Sequence, residues 1–322
     1  MAKKIYYYIC IWAVCLLAAC SAGDEAASFP GQVDSANRVG VTLRLSALSS
    51  QTSPSSRSSL TRAADTDALP GEMMKSWFVV VVQNGTIEKI ITSDLKSLGV
   101  SEVEKDQVFV ELNTGKTTFY SFANIQPAEI GLDASTSVGK SFPSDFDEKT
   151  YQMDGNCKLF HQLMTPDFQN GYPMSNKQKV NITDNQQVIN LEVIRMVAKV
   201  QLAITNATDH AINLKTITLT DVTQNGNQNI KLLPNVDSAN ELKGVNLVDG
   251  VAKGTITLTA AENNGMTIEP RNSQTACFYM NESLVDKGAD GGNRYFILSL
   301  TTVDAATGAT SNHRYAMLSW NE

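Results

Sequence analysis

Apolar and polar residues alternate near the start of the chain in a way that predicts a β-strand. In residues 39–47 one face carries an aliphatic side chain at every second position, namely Val39, Val41, Leu43 and Leu45. Period-two alternation is typical of a strand with one buried face. Residues 48–68 are then mostly Ser, Thr and other small or polar residues, a composition that does not form a core. The sequence therefore predicts a buried strand on a polar tether, with further folded structure from about residue 69.

Short apolar stretches separated by turn residues follow along the chain. Residues 77–82 and 87–91 flank Asn84-Gly85, a dipeptide that supplies the positive φ angles of a type I′ turn, so they predict a hairpin. Residues 108–112 and 117–122 flank the turn residues 113–115 and predict a second hairpin. Residues 133–168 are predicted to form long loops with one helical turn.

Strand patterns resume after residue 187. The apolar stretch 188–204 predicts either two strands or one strand bent at Arg195. Further strands are predicted at 212–219, 254–258, 275–280, 294–302 and 313–320. Short strands without alternating long helices indicate an all-β fold made of β-sandwiches. We place a domain boundary near residue 190.

The N-terminus has the pattern of a bacterial lipoprotein signal. Lys3 and Lys4 precede the apolar residues 5–19, which at about 1.5 Å per residue are too short to cross a hydrocarbon core of about 30 Å. The stretch ends in Leu-Ala-Ala before Cys20, which resembles a lipobox. Residues 1–19 are therefore predicted to be a signal peptide and Cys20 to carry acyl chains such as palmitate, which would anchor the precursor in the outer membrane. The alternative is an ordinary signal peptide followed by a chance cysteine.

The net charge argues against one class of function, and the cysteine count limits the possible disulfides. The chain has 322 residues, a net charge of −7 and no cluster of Lys and Arg beyond the N-terminus, which argues against nucleic-acid binding. Two of its five cysteines would leave with the signal peptide and a third is Cys20. Cys157 and Cys277 then remain, as two buried thiols or as a disulfide.

No motif in the sequence predicts catalysis, a cofactor or a metal site. His161, His210 and His313 are scattered and lie in none of the usual catalytic motifs. Residues 221–229 lack the alternating acidic ligands of a calcium loop, and the Gly-rich residues 288–294 predict a hairpin turn rather than a phosphate loop. We therefore expect no enzyme, no cofactor and no metal.

Several stretches resemble the Bacteroidales fimbrillin superfamily, whose members are subunits of type V pili. The resemblance runs from residue 17 to about residue 282 and adds to the lipobox five motifs in order: residues 77–82 (WFVVVV), 119–124 (FYSFAN), 171–175 (GYPMS), 195–200 (RMVAKV) and 278–282 (FYMNE).

This resemblance implies two transthyretin-like β-sandwich domains in tandem, at residues 63–190 and 191–322. It also implies export as a lipoprotein, cleavage by an Arg-specific protease in the loop after the first strand, and assembly by donor-strand exchange. By position, Arg62 matches the cleavage site and Ala63 the new N-terminus, with Arg57 as the alternative. Residues 20–62 would then be a lipidated propeptide.

In this interpretation Val39, Val41, Leu43 and Leu45 form a plug that fills a gap in the first sandwich until cleavage lets it leave. The alternative is an ordinary first strand followed by an ordinary flexible loop. Family stalk subunits usually carry further donor strands after a segment like residues 314–320, but this sequence stops at residue 322. The chain is then an accessory or tip subunit without a donor strand, a subunit whose last strand donates, or an incomplete sequence.

Two functions follow as hypotheses. The first is a structural or accessory subunit of a cell-surface fimbrium, at the base, shaft or tip, with other fimbrial subunits as partners. The second is a surface lipoprotein of the outer membrane that binds a glycan or another host ligand, which would predict a cluster of exposed aromatic side chains.

Overall fold

Strands form almost all of the regular structure. The computed structural model describes residues 38–47, 72–93, 95, 101–133, 135, 137–152, 155, 157–161, 171–223, 229–237, 253–281 and 295–318. These residues contain no α-helix and two short 3-10 helices, Pro127–Ile130 and Phe146–Glu148. Their strands are β1 (Arg38–Ala47), β2 (Trp77–Gln83), β3 (Thr86–Thr92), β4 (Lys105–Asn113), β5 (Gly115–Ala123), β6 (Thr150–Gln152), β7 (Leu159–Phe160), β8 (Met174–Ile182), β9 (Gln187–Arg195), β10 (Val197–Thr205), β11 (Ile212–Thr223), β12 (Asn229–Lys231), β13 (Lys253–Ala260), β14 (Met266–Ile268), β15 (Ser273–Asn281), β16 (Tyr295–Asp304) and β17 (Thr310–Leu318). The predicted all-β class is confirmed.

Seven strands form one sheet in the order β3-β2-β5-β8-β9-β1-β4. Strands β8 and β9 are paired at Met174–Arg195 and Ser175–Ile194 and separate along the rest of their length. The sheet therefore divides into two layers at this corner. One hydrophobic cluster takes side chains from both layers, such as Leu43 of β1 and Phe119 of β5. The layers thus face each other across a shared core, as in a β-sandwich.

The uninterrupted apolar sequence of β2 follows from burial on both of its faces. Val79 and Val81 belong to the cluster that β1 shares. Val80 and Val82 point the other way, into a second cluster. A strand that is covered on both sides loses the polar half of the alternating pattern. The run at residues 77–82 is therefore a central strand of the layered structure.

One predicted hairpin is confirmed and the other is wrong. At the turn between β2 and β3, Asn84 and Gly85 have φ angles of 49° and 73°, as a type I′ turn requires. Strand β4, however, pairs with β1, whereas β5 pairs with β2 and β8. Gly115, with a φ of 120°, starts β5 as the chain passes from one layer to the other. The turn residues at 113–115 thus mark a change of layer instead of a hairpin.

The later strands form smaller sheets. Five strands lie in the order β17-β16-β11-β13-β7 with β14 beside β11, while β10 pairs with β15 and β12 with β6. The stretch predicted as two strands or one bent strand is two strands, β9 and β10, separated by Met196. The segment 133–168, predicted as loop with one helical turn, also supplies β6 and β7 to these sheets.

The second hydrophobic cluster connects the sandwich to the later sheets. It includes Phe78 and Tyr120 from the first sandwich together with Leu214 and Phe278 from β11 and β15. Strand β9 pairs with β1 of the first sandwich, whereas β10, the next strand in the chain, pairs with β15. The two tandem domains with a boundary near residue 190 stay a prediction.

Candidate functional site

The candidate site is the cleft that β1 occupies between β4 and β9. Strand β1 runs antiparallel to β4, from the pair Arg38–Asn113 to the pair Ser46–Lys105. It runs parallel to β9, from Val41–Gln187 to Ala47–Val193. A strand bonded on both sides satisfies the backbone groups of two neighbours at once, so its departure would leave two open strand edges.

The inward face of β1 contributes directly to the core. Val41 is fully buried, and Leu43 and Leu45 are each 2% exposed. Val39 is half-buried at the end of the same face. Ala47 is also buried, and the sequence interpretation did not include it although it continues the same alternation. The predicted plug residues therefore lie in a hydrophobic cleft, and the outward-facing Arg44 is exposed.

The turn between β8 and β9 holds the N-terminal end of β1. The Gly40 N–H donates to Oδ1 of Asn185 at 2.9 Å. The Gln186 N–H donates to the Gly40 carbonyl oxygen at 2.6 Å. At the other end the Ala47 N–H donates to the carbonyl oxygen of Glu104 at 3.0 Å. The cleft thus binds β1 at both ends as well as along its edges.

A buried carboxylate fixes the chain at Glu72, the first described residue after the tether. The Glu72 side chain is 1% exposed, and its Oε1 lies 3.1 Å from Nζ of Lys199. Arg195 Nη2 lies 3.7 Å from Oε2 and donates to the Glu72 carbonyl oxygen at 3.2 Å. The Tyr279 hydroxyl donates to Oε1. Burial, together with the bond to Glu72 and its negative charge, raises the pKa of Tyr279, so this phenol stays protonated and acts as a donor.

Asn124 ties the same segment to the sandwich. Its Oδ1 accepts from the Lys75 N–H at 2.7 Å, and its Nδ2 donates to the carbonyl oxygens of Met73 at 3.1 Å and Tyr172 at 2.8 Å. The Tyr172 ring packs on Tyr279, with 4.2 Å between ring centroids. Residues of four motifs that carry the sequence resemblance therefore meet around residues 72–75, which we call the Glu72 anchor: Asn124, Tyr172, Arg195, Lys199 and Tyr279. Sequence reasoning singled out neither Glu72 nor Asn124 as a site.

Gly171 provides a test of this packing. It has a φ of 77°, and a Cβ there would lie 2.4 Å from Nδ2 of Asn124. Gly139 has a similar φ of 80° but open space around the same position. We expect Gly171→Ala to lower the free energy of unfolding by about 1–3 kcal/mol more than Gly139→Ala, because both variants strain the backbone but only one crowds Asn124. Urea unfolding of the two variants measures the difference, and equal losses would contradict the role assigned to Asn124.

The other predicted site residues lie outside the described part of the chain. They are the signal peptide at 1–19, the lipidation site Cys20 and the processing residues Arg57, Arg62 and Ala63. Each stays a prediction.

Further chemistry in the described residues is sparse. Cys157 and Cys277 are both buried thiols, the first of the two alternatives for this pair. Among the residues that the structure describes, no set of three or more His, Cys, Asp and Glu side chains is arranged to hold a metal ion. In the same residues no helix has the length and apolar character needed to cross a membrane.

Solved structures similar to this chain are fimbrial and adhesion proteins. The tip fimbrial protein Mfa3 from Porphyromonas gingivalis, with a C-terminal truncation, matches with a TM-score of 0.51 and 17% identity over 86% of this chain and 81% of that chain. A candidate cell adhesion protein from Parabacteroides distasonis matches with a TM-score of 0.44 and 10% identity over 87% and 80% of the two chains. The fimbrilin FimA from Porphyromonas gingivalis matches with a TM-score of 0.40 and 12% identity over 85% and 80%.

The likeness to Mfa3 agrees with the all-β fold class that the sequence predicts, while the two tandem domains stay a prediction. At this identity it carries the all-β fold and no more. No protein-family model matches the chain, and no curated protein sequence matches it either.

Proposed function

We propose that this protein is a structural or accessory subunit of a cell-surface fimbrium, with the tip as one accessory position. It is exported as a lipoprotein with acyl chains on Cys20, cleaved after Arg62 in the tether, and assembled when a strand of another subunit replaces β1. The precursor is held in the outer membrane and the cleaved subunit belongs to the fimbrium. The single observation that carries this proposal is β1 itself, a strand with a buried face inserted between β4 and β9.

The position of β1 in the chain makes replacement physically reasonable. The 24 residues between Ala47 and Glu72 connect the strand to the rest of the fold. Once that connection is cut, only the ladders, the end contacts and the buried side chains retain β1. Burial of each large aliphatic side chain stabilises the strand by about 1.5–3 kcal/mol. Ordering a free strand costs about 1–2 kcal/mol of backbone entropy per residue, which offsets much of this gain. We therefore expect β1 to stay in place in the uncut precursor and to be exchangeable after the cut.

The Glu72 anchor would keep the new N-terminal segment attached to the fold after cleavage. It binds residues 72–75 to β9, β10 and β15 through buried polar contacts. A cut after Arg62 leaves β1 on one side and this anchored segment on the other. Release of β1 would thus leave the remaining fold attached to its own new N-terminal region.

Growth into a fibre follows from the geometry of such a contact. The open cleft would expose the edges of β4 and β9, and an incoming strand would satisfy them by β-augmentation. The donor and the acceptor are different surfaces, so the contact is head-to-tail and extends without closing.

Cleavage supplies the first test. We expect an Arg-specific protease to cut the protein lacking residues 1–19 first after Arg62, and we expect the cut form to assemble with fimbrial partner subunits. The variant Arg62→Ala, combined with Arg57→Ala to remove the alternative site, should stay uncut in the tether and monomeric. Mass spectrometry of the fragments and size-exclusion chromatography give the two readouts.

The exposed aromatic side chains bear on the alternative, a surface lipoprotein that binds a glycan or host ligand. In the described residues the large exposed aromatic side chains are Phe109 on β4 and Tyr315 on β17, which belong to different sheets. Trp77 is 4% exposed and its indole N–H donates to Asp106. A cut protein that stays monomeric with every fimbrial partner but binds a polysaccharide would contradict strand exchange and favour this alternative.

A further inference from the structure

The inward face of β1 does not by itself fix the register of a strand in the cleft. From Val39 to Ala47 every inward position is aliphatic. A slip of one residue would turn this face to solvent and is therefore unfavourable. A slip of two residues in either direction would still place an aliphatic side chain at the inward positions of Val41, Leu43 and Leu45. Some other feature must distinguish the correct register from such slips.

Gly40 is that feature on the outward face. In the ladder Thr42 is opposite Phe109 of β4, and the Phe109 ring leans diagonally over Gly40. A Cβ at residue 40 would lie 2.4 Å from Cζ and 2.9 Å from Cε2 of this ring. A two-residue slip would bring Arg38 or Thr42 to this place, and either side chain would displace the ring. Aromatic side chains cover strand glycines favourably in this way.

The backbone of the same residue is the one that the β8–β9 turn binds. Asn185 accepts its N–H and Gln186 donates to its carbonyl oxygen. Phe109 is 64% exposed, so its ring can rotate away from a larger residue. A larger residue at position 40 is therefore not excluded sterically. Glycine is preferred because it allows the Phe109 ring to pack over the backbone.

We propose that Phe109 and the turn residues Asn185 and Gln186 form a register key, which aligns any strand in the cleft by seating a glycine beneath the phenylalanine ring. This inference rests on the proposed function and specifies its partner. The replacing strand carries a glycine followed by aliphatic residues one, three and five positions later. Strand β17, the last described strand, contains no glycine and does not fit the register key, so we assign the donor to a segment of another subunit that carries this glycine pattern.

The intact chain tests the register key without any exchange. Glycine is unfavourable within strands and threonine is favourable, so Gly40→Thr should raise the urea midpoint if nothing covers residue 40. We expect Gly40→Thr to lower the midpoint in the natural background and to raise it in the Phe109→Ala background. Gln107→Ala, an outward-facing change two residues from Phe109, should leave the effect of Gly40→Thr unchanged. Equal shifts in the natural and Phe109→Ala backgrounds would overturn the register key.

Exchange of synthetic peptides tests the partner specificity. The tether-cut protein is given the peptide RVGVTLRLSA, the sequence of β1, or the same peptide with threonine in place of glycine. We expect the glycine peptide to bind about fivefold more tightly, and the preference to disappear in Phe109→Ala. Equal binding to the natural cleft would overturn the proposal. Failure of both peptides to bind would contradict the proposed strand exchange, while the intact-chain experiment would still decide the register key.

Discussion

Replacing Leu43 by alanine is expected to lower the free energy of unfolding by about 2–5 kcal/mol. Leu43 is 2% exposed at the middle of β1, where its side chain belongs to the cluster shared by both layers of the sandwich. Alanine would leave a cavity that the flanking strands cannot close, since β4 and β9 are both bonded to β1. Urea unfolding of the uncut chain measures this loss.

The neighbouring Arg44 provides the matched control. It belongs to the same strand, faces outward and is exposed. Arg44→Ala should change the free energy of unfolding by no more than about 0.5 kcal/mol. A loss below about 1 kcal/mol for Leu43→Ala would mean that the cleft is not a well-packed core site, and the assignment of β1 as its occupant would be wrong.

Replacing Glu72 by alanine is expected to have a comparable effect, a loss of about 3–5 kcal/mol. The carboxylate is 1% exposed and interacts with Lys199 and Arg195, whose side chains are 17% and 22% exposed. Removal of one member of a buried ion pair leaves the opposite charges in a poorly solvated place. The Tyr279 hydroxyl would lose its acceptor at the same time. Chemical denaturation of the variant gives the magnitude.

An exposed ion pair elsewhere in the chain separates this effect from simple loss of charge. Arg271 and Asp209 form such a pair, with 66% and 78% of their side chains exposed. Asp209→Ala should cost no more than about 1 kcal/mol, because solvent screens the interaction. If Glu72→Ala costs no more than Asp209→Ala, residues 72–75 are not anchored as described, and the proposed outcome of cleavage loses its support.

The sequence predicted correctly those elements that depend only on neighbouring residues. The alternation in residues 39–47 predicted β1 and the side of it that is buried. The dipeptide Asn84-Gly85 predicted the turn between β2 and β3, because few residues adopt two consecutive positive φ angles. The aliphatic positions of β1 could be identified for the same reason, since alternation reports directly which face meets the core.

The strands and side chains that pair across the fold could not be predicted from the same local patterns. The residues at 113–115 signal that the chain turns, but β4 bonds to β1 and β5 to β2 and β8, all separated from their partners in sequence. The parallel pairing of β1 with β9 joins residues more than 140 positions apart. In sequence Glu72 likewise resembles any other glutamate, because its partners Arg195, Lys199 and Tyr279 come from the distant strands β9, β10 and β15.

The central claim is that β1 is a removable strand whose cleft accepts another strand. Native mass spectrometry of the tether-cut protein, incubated with an isotopically heavy peptide of the β1 sequence, measures this directly. Replacement of the original fragment by the heavy peptide at its distinct mass is the predicted result, with Leu43→Ala increasing the replacement rate. If the fragment stays bound indefinitely under native conditions, or leaves and the cut protein takes up no peptide, β1 is an ordinary first strand and the proposed assembly by strand exchange is contradicted.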